Sequence, residues 1–197
     1  MRVITPEAIL SYPQLFTPKA PMGGGEEKYS CALVFPEGTD LTALKKAIAT
    51  VAEEKWGSKA KDMFKKGQLR NPLRDDAESK GYAEGSVFTN VRTKQRPGIV
   101  GIVPDPETGK PMPIEDESRV YPGVIVRASL TAFAYDSNGN RGVSFGLGNV
   151  QVIREGDRLD NRVKAVDEFD ADASAVADLS DLDGSGDDGD LDMSDLL

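Results

Sequence analysis

Apolar and polar positions alternate most regularly in two parts of the chain. From Lys28 to Phe35, Tyr29, Cys31, Leu33 and Phe35 share one face while Ser30, Ala32 and Val34 take the other. A period of two is that of a half-buried strand. From Val124 to Tyr135 the alternation runs for a dozen residues. Val124, Val126, Ala128, Leu130 and Ala132 form a small aliphatic row suited to lining a barrel. Arg127, Ser129, Thr131, Phe133 and Tyr135 form the opposite row. Asp136 to Asn140 predicts the turn, with Asn138-Gly139 supplying positive φ. Gly142 to Ile153 returns as the partner strand, where Gly146 and Gly148 mark a bulge or a sharp coil.

Shorter strands are predicted at Ile9–Phe16, interrupted at Pro13, at Ser86–Arg96 and at Gly98–Val103, with a turn at Pro97-Gly98. Pro18, Pro21 and Gly23-Gly24-Gly25 read as a mobile loop, and Pro104 to Pro113, with its four prolines, as another. Helical spacing appears in one region only. Asp40 can cap a helix with apolar positions at Leu41, Leu44, Ile48, Val51 and Ala52, ending at Gly57. Ser58 can cap a shorter one running through Met63 and Phe64 to Gly67. The pattern predicts a mainly β fold, a small, strongly curved barrel with a helical insertion at 40–67.

Charge divides the chain in two. Of 197 residues, 24 are Lys or Arg and 33 Asp or Glu, a net of −9. Residues 167–197 hold 12 of the acids and no base, which leaves 1–166 with a net of +3. We therefore expect a mildly basic folded domain over 1–166 and a disordered acidic tail over 167–197. With no His and only Cys31, there can be no His/Cys zinc cage, no Ser-His-Asp triad and no intrachain disulfide. A lone cysteine on an apolar strand face reads as core in a reducing compartment. No apolar run approaches the ~20 residues of a membrane helix, and the first residues lack the apolar stretch of a signal peptide.

Candidate chemistry gathers on cations and aromatics. Lys55 to Arg74 contains seven bases and one acid, Asp62. Such a run is either the solvated face of a short helix or a surface that tracks phosphates. On the strand after Ser86, a period of two sets Phe88, Asn90, Arg92, Lys94 and Arg96 on one face. That face suits a polyanion with stackable bases, or else an edge strand guarded by charge. Phe133 reads as lying under the helices or as a platform beside Arg127, and Trp56 as a helix anchor. Asp181 to Asp192 partly imitates a calcium loop, but it has Asp188 at an apolar position and no bidentate Glu. Asp75, Asp76 and Glu78 could hold Mg²⁺ in a nuclease, although adjacent loop carboxylates are ordinarily just solvated.

Several segments resemble one family. Glu54-Lys55-Trp56-Gly57, Gly81-Tyr82, Arg96-Pro97, Tyr121 to Leu130 and Gly139 to Leu147 are similar to the phage single-stranded DNA-binding proteins of the Enc34-like group, distant relatives of that of phage T7. The resemblance spans roughly residues 10–169 and departs at Gly101, where an acid is expected. It implies an OB-fold, a groove for single strands, and an acidic tail that engages other replication proteins. Cation chemistry then nominates Lys59, Lys65, Lys66, Arg70, Arg92, Lys94, Arg96 and Arg127 for phosphates, and Tyr82, Phe88 and Tyr135 for bases. Asp190, Asp192, Met193, Asp195, Leu196 and Leu197 would recruit replication and recombination proteins. The reading expects no catalysis, cofactor or membrane, and work in the cytoplasm of a bacterial host. Its rivals are an acidic-tailed scaffold or DNA mimic, and a divalent-metal nuclease.

Overall fold

The structure, a computed structural model, describes residues 1–20, 24–137 and 139–159. The acidic tail, its apolar tip and the calcium-like loop lie outside the described residues, as does the expected domain boundary.

Five strands close into a barrel. They are β2 (Ala8–Lys19), β3 (Lys28–Phe35), β4 (Val87–Thr93), β7 (Ile125–Ser137) and β8 (Asn140–Arg154). Around the barrel the order is β7-β2-β3-β4-β8, and β7 pairs with β8 to complete the ring. A five-stranded Greek-key closure of this order is the OB-fold. β1 (Arg2–Ile4) adds to the edge of β7 beyond β2. A hairpin of β5 (Ile99–Pro104) and β6 (Pro111–Pro113) extends the sheet from the far end of β8.

The predicted lining row is inside: Val124, Val126, Ala128, Leu130 and Ala132 are all buried, facing Cys31, Leu33 and Phe35 of β3. Helix α1 (Thr42–Trp56) adds Leu44, Ala47, Ile48, Val51 and Ala52 to the same core and packs on β7, β8 and β1. Each of its larger buried side chains contributes ~1.5–3 kcal/mol. The helix starts at Thr42, and Asp40 Oδ1 accepts the Thr42 N–H at 2.9 Å. Hydrogen bonding with the Thr42 side chain, and then with its backbone N–H, holds the Asp40 carboxyl below its ordinary range. Gly57 ends the helix with φ of +61°, and α2 (Ala60–Lys65) follows after one 3-10 turn. Among the described residues no helix is long and apolar enough to cross a membrane.

Three expectations are corrected. β2 runs on through Pro18 to Lys19, which pairs with Lys28, rather than ending at Phe16 before a loop. The strand begun at Ser86 stops at Thr93 rather than Arg96. There Thr93 Oγ1 accepts the Gln95 N–H at 3.3 Å, a local turn that competes with the ladder. And 104–113 is not all loop, since Pro111–Pro113 pairs with β5. Proline is tolerated there because β6 is the outermost strand and needs no donor on its free side.

β8 organises the rest. One edge belongs to β7, and the other receives Arg70, Arg92 and Ile99 in turn, pairing with Gly142, Gly146 and Val150. The glycines make this possible. A Cβ on Gly142 would lie 2.5 Å from the Arg70 carbonyl oxygen. The predicted bulge sits at Gly148-Asn149, opposite Ser129, whose Oγ accepts the Asn149 N–H at 2.8 Å.

Candidate nucleic-acid interface

The outward face of the barrel carries a trough of about 370 Å³ where β3, β4, β8 and β7 run side by side. Its floor is small because the outward positions of β8 are Gly142, Ser144 and Gly146, standing opposite Tyr135, Phe133 and Thr131 of β7. One wall is Phe133, 46% exposed. The other is cationic: Lys28 from β3, with Asn90, Arg92 and Lys94 from β4 and its end. Arg92 is exposed and forms no ion pair among the described residues. Lys94 Nζ lies 2.7 Å from Glu26, and this hydrogen bond holds the Glu26 carboxyl below its ordinary range.

The nominated residues do not gather in one place. Arg92 and Lys94 line the trough. Arg70 passes its far end, donating its backbone N–H to the Arg141 carbonyl at 3.0 Å beside Gly142. Tyr135 faces that same glycine and is half-buried. Arg96, beyond the strand end, turns away to stand 5.7 Å from the Phe16 ring. Arg127 lies four residues along β7 from Thr131 and is drawn to Glu7 at 3.8 Å. Lys59, Lys65 and Lys66 are exposed on the helical insertion and none lines the trough. Lys65 instead borders an apolar cleft of about 640 Å³ between α1 and α2.

Phe88 is a correction. It keeps the predicted face of β4 but is only 2% exposed. Segment 74–82 folds over it: Arg74 exchanges both backbone hydrogen bonds with Phe88, at 2.9 Å each, and stacks its guanidinium 5.0 Å from the ring. Tyr82 packs on Phe88 with ring centroids 5.5 Å apart, and its hydroxyl donates to Ser11 Oγ at 3.1 Å. Burial raises the Tyr82 hydroxyl above its usual range. Phe88 thus belongs to a second small core with Val34 and Ala77 and offers no face to a base. Asp76, one of the nominated metal ligands, is held by Arg74 and Ser79, and no metal-binding cluster of three such groups occurs among the described residues.

Lys28 is a trough residue that the sequence did not nominate, and of the two readings for Phe133 the structure has the exposed one rather than a place under the helices. A signal for Phe133 was present: the row of β8 facing it, Gly142-Ser144-Gly146, has no apolar side chain for a covering helix to grip. Cys31 is buried, and desolvation pushes its thiol up to about 12.

Fold and face together define an oligonucleotide-binding barrel, since the surface of the second and third barrel strands is where OB-folds take their ligands. The comparisons narrow this to one family. Residues 1–180 match the model of the Enterobacter phage Enc34 ssDNA-binding protein, and the chain belongs to that family. A protein designated p50 from Acyrthosiphon pisum secondary endosymbiont phage 1 is 34% identical over 170 residues, covering 82% of this chain and 88% of that one. Among solved structures, the single-stranded DNA-binding protein of bacteriophage Enc34 in complex with ssDNA aligns with a TM-score of 0.59 at 20% identity, over 80% of this chain and 89% of that chain. The bacteriophage T7 single-stranded DNA-binding protein gp2.5 aligns at 0.53 and 14% identity, over 83% and 97%.

Proposed function

We propose that this chain binds single-stranded DNA without sequence preference, in the trough between Phe133 and Arg92, during phage replication, recombination or repair. The observation that carries the reading is Arg92, without an ion pair among the described residues, facing an exposed Phe133 across Ser144. Every base has a π-face and every nucleotide a phosphate, so an aromatic wall with a cationic wall recognises strands rather than sequences. Lys28, Arg92 and Lys94 hold phosphates, and Phe133 stacks a base. Lys59, Lys65, Lys66, Arg70, Arg96 and Arg127 add attraction at longer range. The Enc34 protein, of the same family and fold, was solved with ssDNA, which supports the reading.

The finer roles rest on sequence chemistry. The tail competes with DNA through its carboxylates and recruits partner proteins through Met193, Leu196 and Leu197. The chain performs no catalysis and works inside an infected bacterium.

Fluorescence anisotropy with labelled dT oligomers tests the site. Phe133→Ala should cost ~1–3 kcal/mol of binding, and Arg92→Glu more than the neutral Arg92→Gln, both with an unchanged melting temperature. Binding by neither wild type nor variants would favour the scaffold reading. Cleavage of the DNA with Mg²⁺ would favour the nuclease.

A further inference from the structure

Tyr12 has a backbone and a surface that the trough does not explain. Among the described residues it is the non-glycine with positive φ, at +46°. It sits in the bulge of β2, where pairing with β3 shifts between Ser11 and Gln14. That region is unfavourable for a side chain with a Cβ, and such strain persists where surrounding structure over-determines it, often at ligand sites. Burial gives no reason for it, because Tyr12 is 69% exposed. The strained bulge turns a large aromatic outward.

Its surroundings are those of a small binding cleft. About 190 Å³ of space is bounded by Tyr12, Ser11, Tyr82, Lys80 and Pro122. The Tyr82 ring is fixed by Phe88 behind it and by its bond to Ser11. Lys80 is exposed and forms no ion pair among the described residues. Register ties this cleft to the trough. Ser11 stands opposite Ala32, Ala32 opposite Asn90, and Asn90 lines the trough. At ~4.8 Å between strands, β2 lies ~10 Å from β4 around the barrel. Across β8, Ser144 stands opposite Phe133 and lines the trough with Asn90. Tyr12 and Phe133, both exposed, thus stand on strands to either side of the pair β3 and β4, of which β4 carries Arg92, while Ser11 and Ala32 of the linking row are buried.

We propose that Tyr12 is a second nucleobase-stacking platform, with Lys80 on the neighbouring phosphate, at the far end of the path that passes Arg92 and Phe133. The inference rests on the single-strand reading above and extends it by a subsite. A short oligomer fills the trough alone, while a longer one reaches Tyr12.

The test is Tyr12→Gly in the full chain, titrated with dT of about 4 and about 16 nucleotides, the two ends of OB-fold site sizes. Glycine accepts positive φ without strain, so the thermal midpoint should hold or rise. Affinity for the longer oligomer should fall about 5- to 150-fold, the ~1–3 kcal/mol of one stacked base at 1.4 kcal/mol per tenfold. Affinity for the shorter should stay within about twofold, and Tyr12→Phe should bind both like wild type, since stacking needs the ring and not the hydroxyl. An unchanged affinity for the longer oligomer, while Phe133→Ala weakens it, would overturn the Tyr12 subsite and leave the trough standing. Equal losses for both oligomers would also overturn it. A wild type that binds neither would remove both proposals.

Discussion

Phe88 and Phe133 are aromatics on outward rows of the barrel, and their fates are opposite. Phe88 lies under segment 74–82, and Phe133 is left bare. Alternation gives the face of each but not what crosses that face, because the covering segment comes from elsewhere in the chain. Phe88→Ala should therefore act on stability, lowering it by ~3–5 kcal/mol. Calorimetry checks this, and any lost DNA affinity should follow the unfolded fraction alone. Glu26 gives a second prediction at this scale. Its carboxyl is held low by its hydrogen bond to Lys94, so the pair is intact above the ordinary Glu range and is lost as pH falls through the lowered value. Glu26 and DNA want the same ammonium. Glu26→Gln should tighten binding of dT at neutral pH, most at low salt. A titration in which Gln binds no better than Glu would remove Glu26 as a competitor.

At the scale of elements, β8 decides the site. Gly142 gives the segment at Arg70 its crossing, and Gly146 places no side chain between Arg92 and Thr131. A Cβ on Gly146 would meet only ordinary contacts, 3.8 Å from the Thr131 carbonyl oxygen and 3.9 Å from Phe133 Cε1. Gly146→Val should then fold and yet crowd the trough beside Phe133, cutting affinity for single strands more than it moves the melting temperature. Equal affinity in a folded variant would mean that the strand passes elsewhere. Much of this was legible in the sequence: the lining row from Val124 to Ala132, the paired strands after it, the bulge near Gly148 and the helical insertion. Those features are local, set by a period of two or of 3.6 and by turn residues. What was not legible is relational. β1 is too short to show a period, β6 is masked by its prolines, and Tyr12 becomes conspicuous only when its backbone angle is known. The basic run Lys55–Arg74 was easy to see, but charge density says nothing about which side of a barrel it will occupy.

For the whole molecule, a domain whose trough carries Lys28, Arg92 and Lys94 belongs to a chain that is acidic overall. Deleting residues 167–197 changes the net charge from −9 to +3. The truncated protein should bind single strands faster and more tightly, most visibly at low salt, if the tail's carboxylates compete for the same cations. Stopped-flow association checks the rate, and weaker binding on truncation would end the competition model. Leu196→Ser with Leu197→Ser should leave DNA affinity alone and abolish partner capture. If DNA is held through phosphates by a small set of cations centred on Lys28, Arg92 and Lys94, binding must weaken with salt in proportion to their number. The measurement is a titration of the truncated protein with dT at a series of salt concentrations. Each neutralised phosphate adds about −0.7 to the slope of log affinity against log salt for a single strand, so these three alone predict about −2. Arg92→Gln should make that slope shallower by one such increment. A slope near zero, or one that Arg92→Gln leaves untouched, would mean that these cations do not hold the strand.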